Sequence, residues 1–321
     1  MVASPTASGR PTLAAFSVDV EDYFQVEALR PFCPRERWES FESRVERNTE
    51  RVMEILERHD ARGTFFVLGW IAERHPGLIR RISANGHEVA SHGSAHELIY
   101  NQAPDAFRDD VKRARALLQD LSGQQVIGYR APSYTIMTRT LWALRVLAEE
   151  GYRYDSSIFP IARRRYGMPG ARRWPHRIEL DAAHEVPGGG SAGDGGLPVN
   201  DTRTPGSGAG RTHAGAIAEF PLPTIKLGPL NFPATGGAYL RLLPLAMQRL
   251  ALQRMIRSGR PFVLNFHPWE LDADQPPFPV GRRTRWTHYH NLERAAGRLD
   301  ALLSLARYRS QGAVLRRLGL I

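Results

Sequence analysis

Short apolar runs alternate along the chain with longer stretches in which apolar positions recur every three or four residues. LAAFSVDV (13–20) reads as a buried strand, and RVERNTERVMEILERH (44–59) places Val45, Val52, Ile55 and Leu56 on one helical face. GTFFVLG (63–69) predicts a second strand, followed by a helix over PGLIRRISANG (76–86) that opens with Pro76 and stops at Gly86. HEVAS (87–91), VIGY (126–129) and PFVLNF (261–266) predict further strands. APDAFRDDVKRARALLQDLSG (103–123) and TRTLWALRVLAEEG (138–151) predict helices, each ended by glycine. This alternation points to a mainly parallel sheet, open or closed into a barrel. At 321 residues the chain suffices for one large α/β domain or two modest ones.

One stretch breaks the pattern. Residues 187–215, PGGGSAGDGGLPVNDTRTPGSGAGRTHAG, consist mostly of Gly, Pro, Ser and Thr, and predict a disordered, mobile surface insertion. A phosphate-cradling loop is disfavoured there, because no Lys-Ser/Thr pair follows and no strand–helix context surrounds it.

The polar residues fall where the apolar runs end. Asp19, Glu21 and Asp22 close the first strand, His92 follows HEVAS, Arg130 follows VIGY and His267 follows PFVLNF. In parallel α/β sheets the C-terminal strand edge is where sites are built. A divalent metal takes imidazoles and a carboxylate, and His92-x-x-x-His96 with the acidic cluster offers both. A second carboxylate would remain free to take a proton, and Arg130 beside it would hold it ionised. A satisfied surface pair of histidines and an ordinary Arg130 ion pair are the bland alternatives.

Composition narrows the picture. Cys33 is the sole cysteine, which excludes an internal disulfide and a thiolate metal cage. The net charge is +10, yet only Lys112 and Lys226 among the 43 basic residues are lysine. That bias matches the codon usage of a GC-rich genome. No nucleic-acid-binding motif accompanies it, so nucleic acid is not an expected partner. Arginine also pairs with carboxylates, which keeps an acidic polymer in view. No apolar run reaches membrane-spanning length or forms a signal peptide, which predicts a cytoplasmic protein. The basic segment LARYRSQGAVLRRLGLI (305–321) leaves peripheral attachment at the inner membrane face open.

FSVDVED, TFFVLG, GHEVASHGSAH, GYRAPSYTI, YDSSIFP and NFHPWELD occur in this order. Together they resemble the polysaccharide deacetylases of the NodB-homology type, carbohydrate esterase family 4. The nearest flavour is the branch of PuuE-type allantoinases and Helicobacter-type peptidoglycan deacetylase. GGAYLRLLP and RRTRWTHYHNLERAAGRLDALL further resemble an exopolysaccharide-locus subgroup linked to exosortase and PEP-CTERM sorting. The likeness spans about 14–181 and 216–305. It implies a distorted (β/α) barrel over 14–305, with the 187–215 insertion and a C-terminal extension over 270–321 packed on it. It further implies Asp19 as general base, His92 and His96 as ligands of a divalent metal (zinc first, cobalt or another ion next), and Arg130 as the residue that orients and charges the base. The remaining metal carboxylate is Glu21 or Asp22, because Val20 stands at the family's usual ligand position. His267 is implied as general acid with Asp155 supporting it. The resemblance also implies the Ser133 N–H as an oxyanion contact, with Tyr134 and Trp269 on the substrate side.

The expected activity is metal-dependent hydrolytic N-deacetylation of N-acetylhexosamine units in a bacterial exopolysaccharide or its precursor, with peripheral association to a synthesis complex. Two rivals remain: a metal-independent cyclic-amide hydrolase on the same scaffold, and a noncatalytic carbohydrate-binding protein using Trp269, Trp286 and Tyr289. The segment 282–290, RRTRWTHYH, either lines a groove for a charged glycan or solvates the surface.

Overall fold

The computed structural model describes residues 13–163, 165–180, 215–228, 230–234 and 236–321. All but Gly215 of the predicted 187–215 insertion lies outside the described residues. The chain runs β1 (Ala14–Val20), α1 (Val45–Arg58), β2 (Thr64–Val67), α2 (Gly69–Arg74), α3 (Pro76–Ala84), β3 (Glu88–Ser91), α4 (Pro104–Ser122), β4 (Gly128–Tyr129), α5 (Trp142–Glu149) and β5 (Tyr154–Asp155). It continues through β6 (His176–Glu179), β7 (Ala216–Glu219), β8 (Thr224–Leu227), β9 (Leu230–Pro233), α6 (Ala238–Leu242), α7 (Leu245–Arg257) and β10 (Phe262–Phe266). It ends with α8 (Arg282–Tyr289), α9 (Ala295–Leu303), β11 (Tyr308–Arg309) and α10 (Gln311–Arg317).

The main sheet has the order β10-β1-β2-β3-β4-β5-β7-β6, with β11 also paired to β1. Only β6 runs antiparallel to its neighbour; β8 and β9 form a separate hairpin. The expected barrel is thus an open, curled sheet whose end strands do not pair. Its parallel strands turn the ends of β1, β3, β4 and β10 to one edge.

Most predicted elements sit where the apolar pattern put them. VIGY contributes only Gly128 and Tyr129 as strand. The predicted 138–151 helix splits into a single turn at Thr138–Thr140 and then α5. Thr140 causes the break: its hydroxyl accepts from Met137 N–H and donates to the Thr135 carbonyl, closing a local turn in competition with the helix.

Alternation along β1 decides which side chains face the site. Phe16, Val18 and Val20 point outward and pack with Val52 and Leu56 of α1 under the helical layer. Ala15 joins Phe66, Ala90, Tyr154 and Val263 on the concave face, and Ser17 and Asp19, at the same parity, follow it there. From below, α10 plugs the concave side with Val314 and Leu315. Gln311 N–H donates to Thr64 Oγ1 at 2.8 Å, and Gly312 N–H donates to Glu88 Oε2 at 2.9 Å. The C-terminal basic segment is therefore no free membrane arm: β11 pairs with β1, and Arg316 and Arg317 are its exposed cations in α10. Among the described residues no helix is long and apolar enough to cross a membrane.

Candidate active site

Asp19 sits one residue before the end of β1 and is almost fully buried. Arg130, reached directly after β4, donates from Nη1 to Asp19 Oδ1 at 2.6 Å. The same nitrogen donates to Ser17 Oγ and Asn265 Oδ1, while Nε and Nη2 bond the carbonyl and hydroxyl of Ser156. The guanidinium lies 4.1 Å from the Phe66 ring centre, so a fully buried cation is held on all sides. Asp19 Oδ2 accepts from Asn265 Nδ2 at 3.1 Å, lies 3.4 Å from the Tyr134 hydroxyl and 3.5 Å from His267 Nε2. Burial opposes ionisation of Asp19, but Arg130 and the contact with His267 more than offset it, holding the carboxyl well below its usual range.

Beside Asp19 stands a second group. Glu21 Oε1 lies 3.0 Å from His92 Nε2 and 3.1 Å from His96 Nε2, all three residues being buried. His92 Nδ1 is 2.7 Å from the Arg130 carbonyl. A carbonyl only accepts, so Nδ1 carries a proton, and Nε2 is the ring nitrogen that meets Glu21. The donor set of two imidazole nitrogens and a carboxylate oxygen, all within 4.8 Å of one another, fits a divalent ion. Burial opposes charge on Glu21 too, yet His96 and the imidazole hydrogen bonds lower it well below the ordinary carboxylate range. His96 holds a left-handed backbone (φ 53°), and its Nε2 meets Glu21.

Asp22, the other candidate ligand, takes no part. Its carboxylate caps two chain segments instead, accepting from Tyr23 N–H, Arg44 N–H, Val45 N–H and Ser43 Oγ. The strand alternation that brings Glu21 to the site turns its neighbour away.

His267 follows β10 and faces Asp19 across the curl. Its Nδ1 lies 2.8 Å from Glu270 Oε1, and Glu270 Oε2 accepts from Arg241 Nε at 2.7 Å; Glu270 and Arg241 are fully buried. Burial disfavours the imidazolium, but hydrogen bonds with Asp19 and Glu270 outweigh it, and His267 is pushed up to about 10. It therefore carries its proton at neutral pH. The expected supporter, Asp155, is elsewhere: it bonds Ser157 N–H and Ser157 Oγ and pairs with Glu219. Ser157 Oγ in turn accepts from Ala131 N–H at 2.7 Å, so Asp155 braces the start of the 131–134 loop.

In that loop Ser133 and Tyr134 both have left-handed backbone (φ 51° and 56°). The Ser133 N–H has no acceptor among the described residues. The Tyr134 hydroxyl accepts from Asn265 Nδ2 at 2.7 Å. Trp269 is not an open sugar platform. His267 stacks on it at 5.5 Å and His288 at 4.6 Å, and it is buried.

Sequence reasoning missed Asn265, Glu270 and Arg241. Asn265 had a signal, an amide inside an otherwise apolar strand, and Glu270 stands three residues after His267, the spacing of a capping box. Arg241 had none, because its partners come from α8 and the turn after β10.

Residues 34–154 match the family described as Polysaccharide deacetylase, and residues 198–316 match a domain of unknown function, DUF3473. Over 96 residues the chain is 29% identical to a peptidoglycan-N-acetylglucosamine deacetylase of Bacillus cereus, covering 30% of this chain and 35% of the relative. Over 95 residues it is 33% identical to a chitooligosaccharide deacetylase of Bradyrhizobium sp., covering 30% and 43%. The aligned region thus spans less than half the length of these relatives. Among solved structures, a candidate polysaccharide deacetylase from Mycobacterium smegmatis aligns with TM-score 0.60 at 21% identity, covering 99% of this chain and 94% of that one. PuuE allantoinase aligns with TM-score 0.56 at 13% identity, covering 96% and 90%. The stretch 34–154 is thus similar to the polysaccharide deacetylase family, and the fold of the whole chain is similar to that of these two solved structures.

Proposed function

We propose that this chain hydrolyses the acetamide of N-acetylhexosamine units in a polysaccharide, releasing acetate and leaving the amine. The observation that carries this reading is the pairing of an ionised Asp19 with a protonated His267, 3.5 Å apart, beside the Glu21–His92–His96 group. Glu21, His92 and His96 would hold a divalent ion, zinc in this reading, which when bound supplies a Lewis acid that polarises the amide carbonyl and acidifies water. Asp19 takes the proton of the attacking water, and Arg130 keeps it an anion able to do so. Asn265 and Arg130 fix both of its oxygens, so the base does not swing. The free Ser133 N–H donates to the developing oxyanion, a contact of about 3–4 kcal/mol in comparable sites. His267 then gives its proton to the departing amine, while Glu270 holds the ring and stabilises its charge.

Residues 14–305 act as one catalytic unit in this reading, because β10 and the turn after it supply Asn265, His267 and Glu270. The glycan is a bacterial exopolysaccharide or its precursor, and the enzyme works in the cytoplasm beside a membrane-bound synthesis complex. The C-terminal motifs that resemble that subgroup support this placement. Acetate release from a panel of chitooligosaccharides and native polymers, followed by mass spectrometry, tests it. Intact glycans after incubation with metal-loaded protein would refute deacetylation.

A further inference from the structure

The loop after β5 packs against Tyr134 beside Asp19 and carries arginines. Tyr166 lies 6.4 Å from Tyr134, ring centre to ring centre, and Tyr134 reaches Asp19. On its other side Tyr166 stacks against Phe159 at 6.1 Å and 17°. The Tyr166 hydroxyl is within interaction range of both Tyr239 and Arg163, and Arg163 Nη2 lies 3.5 Å from the Tyr239 hydroxyl. Tyr239 belongs to α6, whose preceding Gly237 backs onto His267: a Cβ there would stand 3.4 Å from His267 Cε1. A continuous path of contacts therefore runs from Asp19 through Tyr134, Tyr166 and Tyr239 to Arg163.

Arg163 is exposed and has no carboxylate partner among the described residues. Arg241, Arg130 and Arg108 all spend their charge on acids of this chain. Arg30 pairs with Glu27 and Glu97, and Arg165 also acts on Glu27. Two tyrosine hydroxyls beside a guanidinium with no acid partner suit a sugar ring that bears an anion, the hydroxyls bonding the sugar while the fork takes the carboxylate.

We propose that Arg163, Tyr166 and Tyr239 form the subsite for the sugar next to the one that loses its acetyl group, and that this neighbouring sugar carries a carboxylate. The inference rests on the deacetylase reading and adds the charge of the substrate to it.

The test is calorimetric binding to the full chain bearing Asp19→Asn, which prevents turnover. The probes are an oligosaccharide alternating N-acetylglucosamine with glucuronate and the same oligosaccharide after carboxyl reduction. At low salt the acidic form should bind about five- to tenfold tighter, the scale of one or two partly exposed arginine–carboxylate contacts. Adding Arg163→Gln should bring the two forms within about twofold of each other, with Arg163→Lys between. Equal affinity for both forms with Arg163 in place overturns the proposal. So does a preference that survives Arg163→Gln and disappears instead in Arg282→Gln/Arg283→Gln, which would place the anion at α8. Acetate release by the unsubstituted protein on the same glycans reads the deacetylase activity separately, so a failure there is not mistaken for a failure of the subsite.

Discussion

Glu270 joins two histidine-bearing segments through one buried carboxylate. One oxygen sits 2.8 Å from His267 Nδ1, and the other accepts from Arg241 Nε at 2.7 Å. Arg241 also donates to the carbonyls of Thr287, His288 and His290, so the C-terminal end of α8 is tied to the imidazole that faces Asp19.

Replacing Glu270 with Gln should weaken the hold on the imidazolium and lower the His267 pKa. The alkaline limb of the pH–rate profile then moves to lower pH by about one unit or more, with a smaller change at pH 6. The stability consequence has a definite sign. His267 titrates at about 10 in the fold against 6.5 for the free side chain. Its contribution is fully present below pH 6.5 and disappears as pH rises toward 10. Superimposable profiles for the two proteins would remove Glu270 from this role.

Asp19→Asn should lower kcat by about two to four orders of magnitude with little change in KM. It also leaves Arg130 buried without its counter-charge, and breaking such a pair costs about 3–5 kcal/mol. Denaturant melts should therefore show a weaker but folded protein. Turnover within tenfold of the parent would eliminate Asp19 as the base.

His92→Ala and His96→Ala should each abolish stoichiometric metal, read by elemental analysis, whereas Asp22→Asn should retain it. Asp22→Asn is expected to act on stability instead, because the carboxylate caps the start of α1 through Arg44 and Val45 N–H; losing such a cap costs about 1 kcal/mol or more. Metal lost from the Asp22 variant and kept in both histidine variants would reverse the ligand assignment.

Gly128→Ala should be poorly tolerated. A Cβ at this position would stand 2.2 Å from Cζ of Tyr154, a ring buried on the concave face. Overpacking of that kind costs about 3 kcal/mol. Tyr154→Phe should not rescue it, since the clash is with the ring carbon as well as the hydroxyl. An unchanged Tm for Gly128→Ala would show that the ring shifts freely.

Much of this arrangement was legible from residue order, because parallel strands gather their final residues on one edge whatever the loops do. Asp19, His92, Arg130 and His267 could be placed together on that ground alone. What stayed hidden depended on side-chain direction. Glu21 and Asp22 are equivalent as letters, and only the pleat of β1 separates a site carboxylate from a cap. Asp155 ends a strand like the others, but its side chain is captured by Ser157 and Glu219. Trp269 looked suited to sugar because aromatic composition does not reveal that the ring is buried and already stacked with two imidazoles.

The Arg130–Asn265 hydrogen bond also bears on how the gene can be cut. The stretch matched to the deacetylase family, 34–154, holds the imidazole pair and Arg130, whereas the stretch of unassigned role, 198–316, holds Asn265, His267, Glu270 and Arg241. Neither half is a portable cassette. Expressed apart, the pieces should be inert and insoluble, and any recovered turnover on mixing would measure reassembly of one centre from two inheritances.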